Sequence, residues 1–368
     1  MTITINGYNE ISILPWLSLN EIKVGDVIFW KFDSSVIKDP LTKAYLEKYV
    51  QCYVDIHGKS LNSVVIASYK DKNNFLVLDP VEQSTVKAAR DLLCFASIAP
   101  HALIAVNRNN NSIAPPSSER FQLFSQNFIP GTDDIAFRSG SHSVVTSGAW
   151  KLNEVKLSTP LYLGGSLFST DGKTLSGLVQ ILPSLRDPEH SPDGIRLLRA
   201  IEWFRLAHVE NDEVSIFSKV VMMSTAFEIL FSIPNLSGKS EYLAKKIDNI
   251  FGSPNLIKDV RKIGKTDTEH TLAGWFGWDF YKLRNRVVHG DTIDSQDLIY
   301  KGWLTYLIIA DLIFLKAIIK ELYSMDFYAE DIKDLFDKSV DRDGEEEMLD
   351  FVTGFSGLYE RLDWKTKI

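Results

Sequence analysis

The 368-residue chain has only two cysteines, Cys52 and Cys94, in apolar surroundings and outside any CxxC or Cys/His spacing. Neither a disulfide framework nor a zinc site is therefore expected, no cofactor or metal is predicted, and a reducing cytoplasm suits the composition. The opening residues, Met1-Thr2-Ile3-Thr4-Ile5-Asn6, have no basic stretch and no long apolar run, so no secretory signal is predicted. The most membrane-like segment, residues 298–322, is interrupted by Lys301, Asp311, Lys316, Lys320 and Glu321. It reads as a buried bundle helix, and no membrane partner is expected. Phosphate loops are missing as well. Gly172-Lys173-Thr174 and Gly238-Lys239-Ser240 lack the glycine five positions earlier that GxxxxGK[ST] requires, so NTP hydrolysis is not inferred. There is no internal repeat.

Positive charge is also scarce, with a formal net charge of −8. A generic nucleic-acid binder carries the opposite sign, because neutralising phosphates releases counterions. The deficit is local. Residues 330–350 hold ten acidic and three basic side chains, contributing −7 and leaving −1 for the rest. The segment 326–368 reads as a solvated acidic tail. A sharper hypothesis makes it a mimic of RNA lying over a basic motif, and deleting the residues after Tyr328 with no gain in RNA binding or cleavage would remove that idea.

The texture of the chain changes once. From 1 to 190 it reads as strands, rich in β-branched and aromatic residues and bounded by Gly, Asn, Asp and Pro. Residues 24–30, 63–69, 74–78, 103–106, 121–124, 143–146 and 161–168 are the candidates, with one helix at 39–50 where Leu41, Tyr45, Leu46, Tyr49 and Val50 follow three-four spacing. His142, Arg138 and Asp133-Asp134 read as solvated loop residues. Prolines 183, 188 and 192 mark a boundary. From 194 to 325 apolar residues recur at three and four, as in Ile195, Leu198, Ile201 and Phe204, then Val220, Met223, Phe227 and Leu230. The expected fold class is α+β: a β-rich N-terminal domain (1–190, a sandwich or open barrel), an all-α bundle (194–325) and the acidic segment (326–368).

The most informative stretch is Arg284-Asn285-Arg286-Val287-Val288-His289, followed by Gly290-Asp291. Asn285 and His289 are four apart and share a helical face, and Arg286 is close to His289. Arg284 lies about 140° around the helix from His289, within reach of a long side chain. Histidine moves protons near neutral pH, and arginine grips phosphate with a planar, permanently charged fork. RNA carries its own nucleophile, the 2′-hydroxyl, so these residue types suit phosphodiester cleavage. The plainer alternative is that the arginines pair with neighbouring carboxylates.

Three segments carry a resemblance. They are the helix Ala200-Ile201-Glu202-Trp203-Phe204-Arg205-Leu206-Ala207; the run Val220–Phe231 with Ala226-x-Glu228-x-Leu230; and Phe280-Tyr281-Lys282-Leu283-Arg284-Asn285-Arg286-Val287-Val288-His289-Gly290. In this order they resemble the Apea-like HEPN domain family over about a third of the chain. That family places an arginine, a polar residue and a later histidine at the start of a late helix. The resemblance implies a helical bundle that homodimerises so that two motifs face each other, and metal-independent endoribonuclease activity in bacterial defence or toxin systems. His289 would then be the general acid or base, Arg284 would steady the phosphate and Asn285 would orient substrate or histidine. Arg286 and Lys282 are substrate-contact candidates, while Glu228 and Tyr281 are supporting residues, Glu228 orienting an arginine across the bundle. The expected partner is RNA, transfer RNA among the candidates, with a ligand or trigger for the N-terminal domain. Two rivals stand beside this: a non-catalytic HEPN scaffold, and a ligand-sensing protein whose β domain carries the function.

Overall fold

In the computed structural model, the described residues are 9–55, 57–61, 64–108, 117–133, 136–137, 152, 156–158, 172–210, 213–235, 237–251, 258–300 and 304–327. The candidate strands at 143–146 and 161–168, the loop residues Asp134, Arg138 and His142, and the acidic segment beyond residue 327 lie outside them. Asp133 pairs with Lys48 at 2.6 Å.

The fold is α+β. Strands β1 (Asn9–Leu14), β2 (Glu21–Val24) and β3 (Val27–Lys31) lead to helix α1 (Pro40–Val50), then β4 (Tyr53–Val54) and β5 (Val65–Tyr69). Helix α2 (Pro80–Arg108) precedes β6 (Phe124–Phe128), β7 (Ala136–Phe137), β8 (Leu157–Ser158) and α3 (Gly172–Val179). Six strands form one antiparallel sheet in the order β2-β3-β5-β1-β6-β7, with Ser12 opposite Ala67 on one side and Ser125 on the other. Side chains alternate between its faces, as strand geometry requires. Ile11, Ile13, Trp30 and Ile66 pack with Tyr45, Leu46 and Tyr49 of α1; Leu14, Val27, Phe29, Val65 and Ala67 pack toward α2.

This arrangement corrects the expected sandwich or barrel. Among the described residues, α1 and α2 cover the sheet's two faces, with the short parallel pair β4–β8 beside α1. Residues 103–106, expected as a strand, are the last turns of α2, since a short apolar run cannot by itself separate strand from buried helix. The overlooked signal was the helix start. Asp79 Oδ1 accepts from the backbone N–H of Val81 and Glu82, and Glu82 Oε2 accepts from the Asp79 N–H. Residues 24–30 are a hairpin rather than one strand, turning at Gly25-Asp26 where Gly25 has φ +61°. Residues 74–78 are not a strand; they meet the sheet through an isolated bridge from Asn9 to Leu76, a hydrogen bond from the Glu10 N–H to the Phe75 carbonyl at 2.7 Å and the Phe75 ring against Phe128.

The second half contains α4 (Pro192–Ala207), α5 (Ile216–Leu230), α6 (Lys239–Phe251), the hairpin β9 (Lys258–Ile263) and β10 (Thr266–Thr271), α7 (Leu272–His289), β11 (Ile299–Tyr300), β12 (Leu304–Thr305) and α8 (Tyr306–Ser324). It is therefore not all-α. The β9–β10 hairpin turns at Gly264, φ +63°, and pairs Arg261 with Thr268. One continuous core joins both halves, from Leu14 and Phe29 through Leu92, Phe95 and Ala99 of α2 to Phe204, Phe227, Phe280 and Phe314. No helix among the described residues is long and apolar enough to cross a membrane.

Deep in this core, His208 Nε2 lies 2.9 Å from Asp311 Oδ2, and His208 Nδ1 lies 2.7 Å from the Phe204 carbonyl oxygen. A carbonyl only accepts, so Nδ1 carries a proton, and the Nε2···Oδ2 contact needs one more on either partner. Burial pushes the Asp311 carboxyl up. Burial pulls the His208 imidazole down, but Asp311 and the Phe204 carbonyl outweigh it and the net shift is upward. The folded pair thus holds a proton that the unfolded chain releases once pH passes the ordinary histidine value. Its stabilisation is complete below about pH 6.5 and is lost as pH rises through the raised value. His208→Ala leaves Asp311, 1% exposed, without its partner, and is expected to cost about 3–5 kcal/mol in urea unfolding. Wild type should lose stability relative to His208→Phe/Asp311→Leu between pH 6 and 9; a pH-independent difference would show that the pair does not take up a proton on folding.

Candidate functional site

Helix α7 starts on Thr271, whose hydroxyl accepts from the Gly274 N–H, and stops at Gly290, left-handed at φ 77°, whose N–H reaches the Arg286 and Val287 carbonyls. A residue with a Cβ resists that conformation, so Gly290 fixes where the helix ends. RNRVVH therefore forms the last turns of α7. This corrects the expectation from the family pattern, which puts the motif at a helix start. His289 is the last helical residue and is exposed; Asn285, one turn earlier, is half-buried.

The two arginines diverge. Arg284 points toward α5, with Nη2 3.8 Å from Glu228 Oε1 and Nη1 donating to Asn285 Oδ1 at 3.2 Å. Its guanidinium lies 5.5 Å from the Tyr281 ring centroid. Arg286 points the other way, donating to the Thr292 carbonyl at 3.0 Å and to Asp297 Oδ2 at 2.9 Å. The hydrogen bond between them raises the Arg286 guanidinium and lowers the Asp297 carboxyl relative to their ordinary values. Lys282 is exposed, its Nζ 5.4 Å from the Trp278 ring centroid.

Glu228 is the hub. Tyr281 Oη donates to Oε1 at 2.8 Å, and Lys239 Nζ of α6 donates to Oε2 at 2.8 Å. Burial, then the hydrogen bond to Glu228, pushes the Tyr281 phenol well up and keeps it a neutral donor. One carboxylate therefore faces two cations and a phenol, holding Arg284 against Tyr281 with a quarter of its side chain exposed. The structure thus brings Arg284, Asn285, Glu228 and Tyr281 together, with His289 on the Asn285 face. It sets Arg286 and Lys282 on separate contacts. Lys239 and Asp297 were not foreseen, because neither stands at a helical or motif spacing from its partner.

No group of three or more His, Cys, Asp or Glu among the described residues could hold a metal ion. Comparisons with protein-family models, curated proteins and solved structures found no match.

Tyr281→Phe removes a hydrogen bond to a carboxylate and should destabilise the protein by about 1–2 kcal/mol. His289→Ala, at an exposed position, should change stability by less than about 0.5 kcal/mol. Urea unfolding of the two variants separates the supporting network from the exposed imidazole. A large loss for His289→Ala would make it a structural residue.

Proposed function

We propose that this chain is a HEPN-type RNA endonuclease acting as a homodimer, with cleavage by the substrate's own 2′-hydroxyl. The observation that carries it is the exposed His289 imidazole standing on the face of Asn285, whose carboxamide is held by Arg284, while Glu228 and Tyr281 fix that arginine. In the reaction His289 takes the 2′-hydroxyl proton, the O2′–P bond forms and the P–O5′ bond breaks. The same residue in a second copy protonates the departing O5′. The products are a 2′,3′-cyclic phosphate and a 5′-hydroxyl. Arg284 stabilises the extra charge on the phosphorane oxygens.

Helix α5 supports the pairing of copies. Beside its polar Ser218, Lys219, Ser224, Thr225 and Glu228, it buries apolar Val220, Met223, Phe227 and Leu230 on one side while leaving Phe217 and Val221 half-exposed on another, in line with Glu228. A helix apolar on both sides is normally covered on both.

A second reading has its own observation. Arg284 and Arg286 both already face carboxylates, as in a scaffold whose arginines only tie helices together. One experiment separates the two: cleavage of total and transfer RNA in excess chelator, with end-group analysis, by wild type, His289→Ala and Arg284→Ala. The nuclease reading expects cyclic-phosphate ends and a loss of about 10²–10⁴-fold in the histidine variant. Wild type that leaves RNA intact while still self-associating would favour the scaffold.

A further inference from the structure

The acidic chain has one basic stretch around the site. Residues 239–290 hold ten basic and six acidic side chains, a net +4 in a molecule of net −8. Helix α6 runs antiparallel to α7 through this stretch: Leu243 and Ile247 lie against Gly277, and Asp248 lies against Gly274. The first turn of α6 therefore stands beside Tyr281, and Lys239 meets Glu228 there. With Arg284 on the same carboxylate, two cations face one anion, leaving a surplus positive charge at this corner.

From that corner, Tyr242 and Lys246 follow Lys239 along one side of α6, three and seven residues on. Tyr242 is 37% exposed, and Lys246 Nζ lies over its ring, 5.6 Å from the centroid. Lys245, next to them, is matched by Glu241 at 2.6 Å and adds no net charge. An exposed aromatic face flanked by cations suits an unstacked base followed by its phosphates. A duplex keeps its bases stacked and offers nothing to the ring. An acidic peptide would satisfy the lysines but leave Tyr242 unused.

We propose that this side of α6 is the approach track for single-stranded RNA. Tyr242 stacks an unpaired base one or two nucleotides from the phosphate held by Arg284, and Lys246 contacts the phosphate beyond it. The proposal rests on the nuclease reading for its direction toward His289, but binding by the track can be measured without cleavage.

The test uses the full chain carrying His289→Ala, with a labelled oligoadenylate, a duplex of equal length and a polyglutamate peptide. The single strand should bind most tightly. Tyr242→Ala should weaken that binding by about tenfold to a hundredfold, and Tyr242→Trp should restore it. Lys246→Gln should reduce the slope of log affinity against log salt by about 0.7. Equal binding by Tyr242→Ala, equal binding of duplex or peptide, or no binding at low salt overturns the track. Tyr242-dependent binding by a wild type that never cleaves would sink the nuclease reading and keep the track. His289-dependent cleavage with KM indifferent to Tyr242→Ala would do the reverse.

Discussion

Everything in this molecule is arranged around the burial of α2. From Ala89 to Ala99 every residue of that helix is buried, and such a helix is stable only with apolar partners on all sides. The sheet covers it through Val65, Ala67 and Phe29, and the bundle covers it through Phe204 and Phe314, whose rings both meet Phe95. Charged groups at this junction are paired locally. Asp91 Oδ1 lies 2.6 Å from the Nε of both Arg90 and Arg205, linking α2 to α4 where an unpaired charge would cost several kcal/mol. The two halves that differ so clearly in composition thus share one core.

That core sets the bundle geometry, and the bundle sets the site. Glu228 sits near the end of α5, Lys239 at the start of α6 and Tyr281 and Arg284 on α7, so their meeting depends on how three helices pack. The close approach of α6 and α7 is permitted by Gly274 and Gly277, where a Cβ would fall 2.2 Å from Asp248 Oδ1 and 2.4 Å from Ile247 Cδ1. The result is a division of labour around one helix end. Arg284 is fixed on the α5 side, Arg286 on the loop side, and His289 between them is exposed.

This division gives the proposed chemistry a physical basis in an acidic protein. Charge acts locally at a surface, since salt screens beyond about 8–10 Å. The negative total therefore matters less than the surplus cation at the Glu228 corner and the lysines of α6. A scissile phosphate there would meet a pre-oriented guanidinium, which costs no reorganisation at the moment of reaction.

The sequence alone determined what local periodicity and spacing encode. It marked α1 from its three-four pattern, the helical character of α4, α5 and α7, and the shared face of Asn285 and His289. The role of Glu228 as the partner of an arginine came from the family resemblance, not from any spacing along the chain. The sequence alone did not separate strand from buried helix at residues 103–106, because both are continuous apolar runs and the difference lies in what surrounds them. Which way each arginine turns was likewise beyond it. Arg284 and Arg286 are two residues apart and chemically identical, and only the positions of Glu228 and Asp297, brought in by packing from 56 and 11 residues away, tell them apart. Helical spacing is a property of neighbours along the chain, whereas the pairing of charges is decided by tertiary contacts that bring distant carboxylates within a few ångströms.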